Sequence, residues 1–173
     1  MSLAPDQSVG GAATGPGTGV LALDVGDARI GLATGAVGSS FAFGRGALTR
    51  QGTGRDVPAV LAAARREGAS LLVVGLPLRL DGSESQQTER VRTFAAALAK
   101  AAAPLGITVV LEDERLTTRI AQRQVGTSGL PRGKRQEKGL LDEAAAVLIL
   151  ESYLTRRLEP TGALLEPEAD AGE

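Results

Sequence analysis

The chain contains no cysteine and no histidine. The first absence excludes disulfides, thiolate nucleophiles and cysteine-based zinc sites. The second excludes a Ser-His-Asp triad and imidazole acid–base chemistry. A metal, if used, must be held by carboxylates, carbonyls and water, which favours Mg2+ or Mn2+ over Zn2+. Aromatics make up only 2% of the residues and tryptophan is absent, which argues against a base-stacking platform of exposed rings. No apolar run reaches the roughly 20 residues that span a bilayer. The first residues lack the basic start and apolar core of a signal peptide. The expectation is a soluble, cytoplasmic protein with no membrane contact.

What is present suits one globular domain. Hydrophobic residues make up 43% of 173, enough for a proper core. Residues 1–18 are rich in Gly, Ala, Ser and Pro and read as a disordered leader. Residues 19–158 read as the folded domain, and 159–173 as an acidic, disordered tail. The net charge is −1, with 19 basic and 20 acidic residues, but five of the acids lie in that tail, leaving 19 against 15, a body at +4. The segment from Arg115 to Lys138 holds seven basic residues and one acid. Such a segment suits a polyanion partner, and its alternative is a merely solvated loop.

The stretch from Val20 to Ala33 organises the rest. Val20, Leu21, Ala22 and Leu23 lead straight into Asp24, a pattern suited to a strand buried on both faces. A carboxylate after four apolar residues is costly without a cation or hydrogen bonds. Asp24 is therefore either a chemical group or a turn aspartate capping its own backbone. Gly26 permits a tight turn, and Arg29 to Ala33 returns as a second strand.

The chain then predicts, in order, strands over about 19–25, 28–34 and 41–48, with 51–55 a loop. A helix opens at Asp56 or its neighbour with Pro58 in its first turn, buries Val60, Leu61 and Ala64, and ends at Gly68. Leu71 to Gly75 is a buried strand parallel to the first, and Pro77 takes the chain out of the sheet. Ser83 to Gln86 has the form of a capping box for a helix reaching Ala102, with Val91, Phe94, Ala95 and Leu98 on one face. Ile107 to Leu111 is a fifth strand, followed by Glu112, Asp113 and Glu114. Thr117 or Thr118 starts a short helix to about Val125, and 126–137 is a glycine-rich basic loop. A last helix over 139–157 carries Leu140, Leu141, Ala144, Val147, Leu148 and Leu154 as its buried stripe. The resulting class is α/β: a mixed five-stranded sheet, a three-strand meander followed by βαβ units, with helices on both faces and strand one near the middle.

Acids in apolar settings at the ends of elements suit a metal site. Asp24 ends a central strand, Asp113 and Glu114 follow strand five, and Asp142 opens the last helix among alanines and leucines. Two divalent ions about 4 Å apart can activate water and stabilise a leaving oxygen in phosphodiester cleavage, with no need of histidine. Each acid has a plain alternative: a solvated loop for 112–114, and a dipole-favoured helix start for Asp142.

Four segments in order resemble the YqgF/RuvX family of RNase H-like nucleases: Leu23-Asp24-Val25-Gly26 with Arg29-Ile30-Gly31; Val73-Val74-Gly75-Leu76-Pro77-Leu78 with Asp81-Gly82; Asp113-Glu114-Arg115-Leu116-Thr117-Thr118; and Lys138-Gly139 with Asp142-Glu143-Ala144-Ala145-Ala146. The resemblance spans about residues 19–155. It implies an RNase H-like fold, a cytoplasmic protein, and a role in maturing the 5′ end of 16S ribosomal RNA or, alternatively, in resolving Holliday junctions. Carried over, Asp24, Glu114 and Asp142 are the catalytic, metal-binding acids, with Asp113 as alternate for the middle one. The strand ending at Gly75 bears no acid where many RNase H-like nucleases place one. Arg29, Arg115, Arg119, Arg132, Lys134, Arg135 and Lys138 would hold phosphates of structured RNA or branched DNA. A resolvase would need a dimer; no dimer face is legible, so a monomer or weak homodimer is expected. A sugar or acetate kinase is a second class, since Asp-x-Gly also cradles phosphate there, but it needs two lobes. A catalytically silent nucleic-acid scaffold is a third.

Overall fold

The computed structural model describes residues 18–115 and 138–158. The expected leader, all but its last residue, and the acidic tail lie outside the described residues, as do the short helix after Thr117 and the basic loop. The described elements are β1 (Gly19–Val25), β2 (Arg29–Ala36), β3 (Ala42–Thr49), α1 (Thr53–Arg66), β4 (Ala69–Leu76), α2 (Gln86–Ala102) with a 3-10 turn at Ala103–Leu105, β5 (Thr108–Asp113) and α3 (Lys138–Arg157).

The five strands form one sheet in the order β3-β2-β1-β4-β5. β1 pairs antiparallel with β2 and parallel with β4, and β4 pairs parallel with β5. The meander, the parallel units and the central β1 are as expected. β1 is apolar almost throughout because both its faces are covered. Leu21, Leu23 and Val25 enter a core with Val57 and Val60 of α1 and Val91, Phe94 and Leu98 of α2. Val20 and Ala22 point the other way, toward Ala146, Ile149, Leu150, Tyr153 and Leu154 of α3. Leu21 and Leu23 are fully buried, at about 2 kcal/mol of transfer free energy each. Asp24, on the α3 face, therefore rides on a strand with little freedom to shift.

Several local expectations change. α1 begins at Thr53, so 53–55 is helix rather than loop and Pro58 falls in the second turn. Asp56 anchors the entry from inside: its carboxylate accepts from the Gln51 N–H at 2.8 Å and from Arg50 Nε at 2.6 Å. The cap of α2 is Ser85 rather than Ser83, with Thr88 as reciprocal partner. Ser83 is spent in the preceding turn, where its N–H donates to Asp81 Oδ1 at 2.8 Å. β5 continues two residues further, taking in Glu112 and Asp113.

The stripe of α3 is the largest correction. Leu140 and Leu141 are 55% and 69% exposed, and Ala144 is exposed as well. The face on the sheet is Ala146, Ile149, Leu150, Tyr153 and Leu154, with Val147 packed beside it. Stepping this face back one turn from Ala146 reaches Asp142 and Glu143. The phase differs from the expected one because the sheet-facing first turn of the helix is acidic, while its conspicuous leucines face solvent. Phe41 and Phe43, beside and on edge strand β3, are 71% and 57% exposed.

Candidate active site

Asp24 lies at the end of β1 with the α3 face before it. Burial raises its carboxyl from the ordinary 3.8 to about 6, and the negative charge of Asp142 pushes in the same direction. The turn beyond it is closed by other groups: the Gly26 N–H donates to the Arg29 carbonyl at 2.9 Å, Arg50 Nη1 to the Gly26 carbonyl at 2.9 Å, and Gln87 Nε2 to the Val25 carbonyl at 3.2 Å.

Glu114 reaches the same place from beyond β5. The β1–β4 register pairs Leu23 with Val74, which puts Gly75 beside Asp24. A Cβ added to Gly75 would lie 2.7 Å from Glu114 Oε1 and 2.5 Å from Ile149 Cδ1. The Glu114 carboxylate thus fills the space into which a side chain on β4 would project. This is the physical sense of the missing acid on β4: glycine there makes room for an acid from the next strand. Glu114 is raised to about 7, by burial first and then by the charges of Asp24 and Asp113.

Asp113, the alternate, belongs to the other face. It pairs in register with Leu76, a member of the α1/α2 core. Arg115 grips it with Nη2 2.6 Å from Oδ2, and these bonds hold its carboxyl below the ordinary value. Glu112 points toward α3 but is spoken for. It accepts from Ser152 Oγ at 3.1 Å and from Arg156. Burial nonetheless pushes it up, against the pull of Arg156.

Asp142 is delivered by close backbone packing. A Cβ at Gly31 would lie 1.9 Å from the Asp142 carbonyl oxygen, so only glycine lets the first turns of α3 rest on β2. Glu143 locks the same contact: its Oε2 accepts from the Gly46 N–H at 2.5 Å, and a Cβ at Gly44 would meet its Oε1 at 2.0 Å. Gly31, Gly44 and Glu143 had no role assigned from sequence. Their signal was there in part: Glu143 shares the helical face of Ala146 and Leu150. The glycines answer to contacts from residues about 100 positions away, which no local pattern reveals.

The charge of Asp142 thus acts on Asp24, and that of Asp24 on Glu114. Among the described residues, no three acidic side chains are gathered closely enough to hold a metal ion as they stand. Asp142 instead faces Arg29, with Nε 2.7 Å from Oδ2. The donor set fits a hard divalent ion: carboxylate oxygens only, two of them burdened by burial and like charge, which a cation relieves. Of the expected phosphate holders, Arg29 and Arg115 are ion-paired with Asp142 and Asp113. Lys138 opens α3. Arg119, Arg132, Lys134 and Arg135 lie outside the described residues.

The sheet order, the helices on both faces and the nuclease names of its relatives define this chain as an RNase H-like nuclease, a hydrolase of phosphodiester bonds. A family model described as "RuvX: Holliday junction resolvase" matches residues 18–156. A Thermus thermophilus protein named "Putative pre-16S rRNA nuclease" is 50% identical over 135 residues, 78% of this chain and 96% of that one. "Ribonuclease YqgF" of Deinococcus radiodurans is 43% identical over 137 residues, 79% of this chain and 88% of that one. The chain belongs to the RuvX family. The solved structure of Thermus thermophilus RuvC in complex with a Holliday junction substrate shares the fold, with a TM-score of 0.53 at 20% identity, over 80% of this chain and 96% of that one.

Proposed function

We propose that this nuclease cleaves structured RNA, at the 5′ end of the 16S ribosomal RNA precursor, with Asp24, Glu114 and Asp142 holding Mg2+ or Mn2+ in a two-ion site. The observation that carries this reading is the Glu114 carboxylate lying over Gly75 beside Asp24. Two carboxyls pushed up by burial and by acidic neighbours suit cation binding better than packing. When bound, the ions supply a water of lowered pKa and offset charge on the leaving oxygen. The chain's own part is positional. β1 fixes Asp24, Gly75 makes room for Glu114, and Gly31 with Glu143 sets Asp142. Arg119, Arg132, Lys134, Arg135 and Lys138, with Arg115, hold the phosphate backbone without sequence choice. The RNA substrate is supported by the names of the curated relatives.

The description of the matching family favours a second substrate, the four-way DNA junction. That reading requires paired, symmetric cuts and hence a dimer, whereas RNA trimming is compatible with a monomer or weak homodimer. Among the described residues no helix is long and apolar enough to cross a membrane, consistent with action in the cytoplasm. The test is a cleavage panel of precursor rRNA, junctions and single strands with Mg2+, Mn2+ or EDTA. Cuts in the precursor that EDTA abolishes and Asp24→Asn lacks are expected. Preferred, symmetric junction cutting establishes the second reading. Binding without cleavage under any metal makes the chain a scaffold.

A further inference from the structure

We propose that Arg29 is the resident counter-ion of the acidic site, holding Asp142 until a divalent cation displaces it and then turning to the substrate phosphate. The inference rests on the reading of Asp24, Glu114 and Asp142 as metal-holding acids. Three features support it. The pair is close, with Arg29 Nε 2.7 Å from Asp142 Oδ2, and reachable, since the two side chains are 30% and 27% exposed. The backbone of Arg29 is fixed while its side chain is not. Its carbonyl closes the turn after Asp24 and its register on β3 is opposite Thr49, so only the guanidinium can move. Finally, the Oδ2 oxygen of Asp142 is taken by the guanidinium, so a cation that binds that oxygen must displace Arg29.

The exchange follows from charge. With three carboxylates and one guanidinium the site is net negative, and the charge of Asp142 acts on Asp24 even with the Arg29 pair in place. A divalent ion on Asp142 makes that acid a poorer partner for a monovalent cation and repels the guanidinium at contact range. The freed side chain starts beside the site and carries a planar fork suited to phosphate. Arg29 is then a positioning residue for Asp142 before the cation arrives and a phosphate ligand afterwards. A plain structural strut would do only the first.

Titration of the free protein with Mn2+ alone, read by calorimetry and by thermal melts, separates these. In Arg29→Gln, which keeps a donor near the Nε position but no charge, and in Arg29→Ala, the metal-free melting temperature should fall while Mn2+ affinity rises about five- to tenfold. Arg29→Lys should restore the wild-type affinity in large part. With Ca2+ and uncut substrate, the slope of log K against log salt should shrink by about one. Unchanged or weakened Mn2+ affinity in both Arg29→Gln and Arg29→Ala overturns the exchange and leaves a strut. Asp24→Asn is run alongside. If it binds Mn2+ like wild type, the carboxylate reading itself falls, and this inference with it. If it loses Mn2+ while the Arg29 variants are unchanged, only this inference falls.

Discussion

Glu112 and Glu114 stand two positions apart at the end of the sheet, and in both burial pushes the carboxyl up. Around Glu112 the chain supplies Ser152 and Arg156 from α3. The charges of Asp24 and Asp113 push Glu114 up further, after burial. The first acid joins β5 to the covering helix. The second adds to a repulsion that the fold tolerates. On the proposed reading, the same residue type at nearly the same place ties a helix to the sheet or binds a cation according to the sign of its neighbours.

Breaking the pair at its functional end should give the largest effect. Glu114→Gln and Asp24→Asn should each cut the cleavage rate by about 10³-fold or more, the loss of several kcal/mol of charge stabilisation, while melting metal-free at or above the wild-type temperature. Mn2+ should stabilise wild type in proportion to RT ln(1 + [M]/Kd) and these variants far less. Equal Mn2+ responses in differential scanning calorimetry would sink the carboxylate reading.

Next in size is Gly75→Ala, which forces a methyl group into the place of Glu114 and Ile149. We expect about 2–3 kcal/mol of lost stability in denaturant melts, with cleavage falling too because Glu114 must move. Gly31→Ala should cost at least as much, since it pushes on the backbone of Asp142.

Glu112→Gln probes the structural end. It leaves Arg156 without its carboxylate and should cost about 1–2 kcal/mol, with Mn2+ affinity unchanged within error. Loss of Mn2+ binding there would erase the distinction between the two acids.

The smallest effect is in the pH dependence of the metal-free protein. Asp24 and Glu114 titrate in the folded state at about 6 and about 7, above their ordinary values of 3.8 and 4.5. The folded form binds protons more tightly, so their contribution is fully present below about pH 4 and is lost as pH rises through 6 to 7. The metal-free melting temperature should therefore fall by a few degrees between pH 5 and 7.5, and fall less in Asp24→Asn. A flat profile in wild type would contradict the burial of these two groups.

Much of this was legible in the sequence because it follows from local pattern. Val20 to Leu23 announces a doubly covered strand, and the period of Val91, Phe94, Ala95 and Leu98 announces the face of α2. Asp24 stands out against its apolar lead. The α3 stripe was misread because Leu140 and Leu141 are conspicuous and the true face begins with two acids. The choice between Asp113 and Glu114 turned on strand parity: β5 runs two residues further than expected, which sends Asp113 to the opposite face. The cap of α2 moved because Ser83 was already committed to Asp81. The fit of Glu143 to Gly44 and Gly46 depends on contacts distant in the chain, beyond any window of periodicity.

The contact of Gly31 with Asp142 also sets when activity can begin during synthesis. All five strands, and Asp24, emerge before residue 114, but Asp142 arrives only with α3. At about 5–20 residues per second, synthesis takes seconds to pass from the end of β5 through the first turns of α3. Throughout that interval the proposed site lacks Asp142. On the proposed site, chains arrested before Lys138 should show no cleavage.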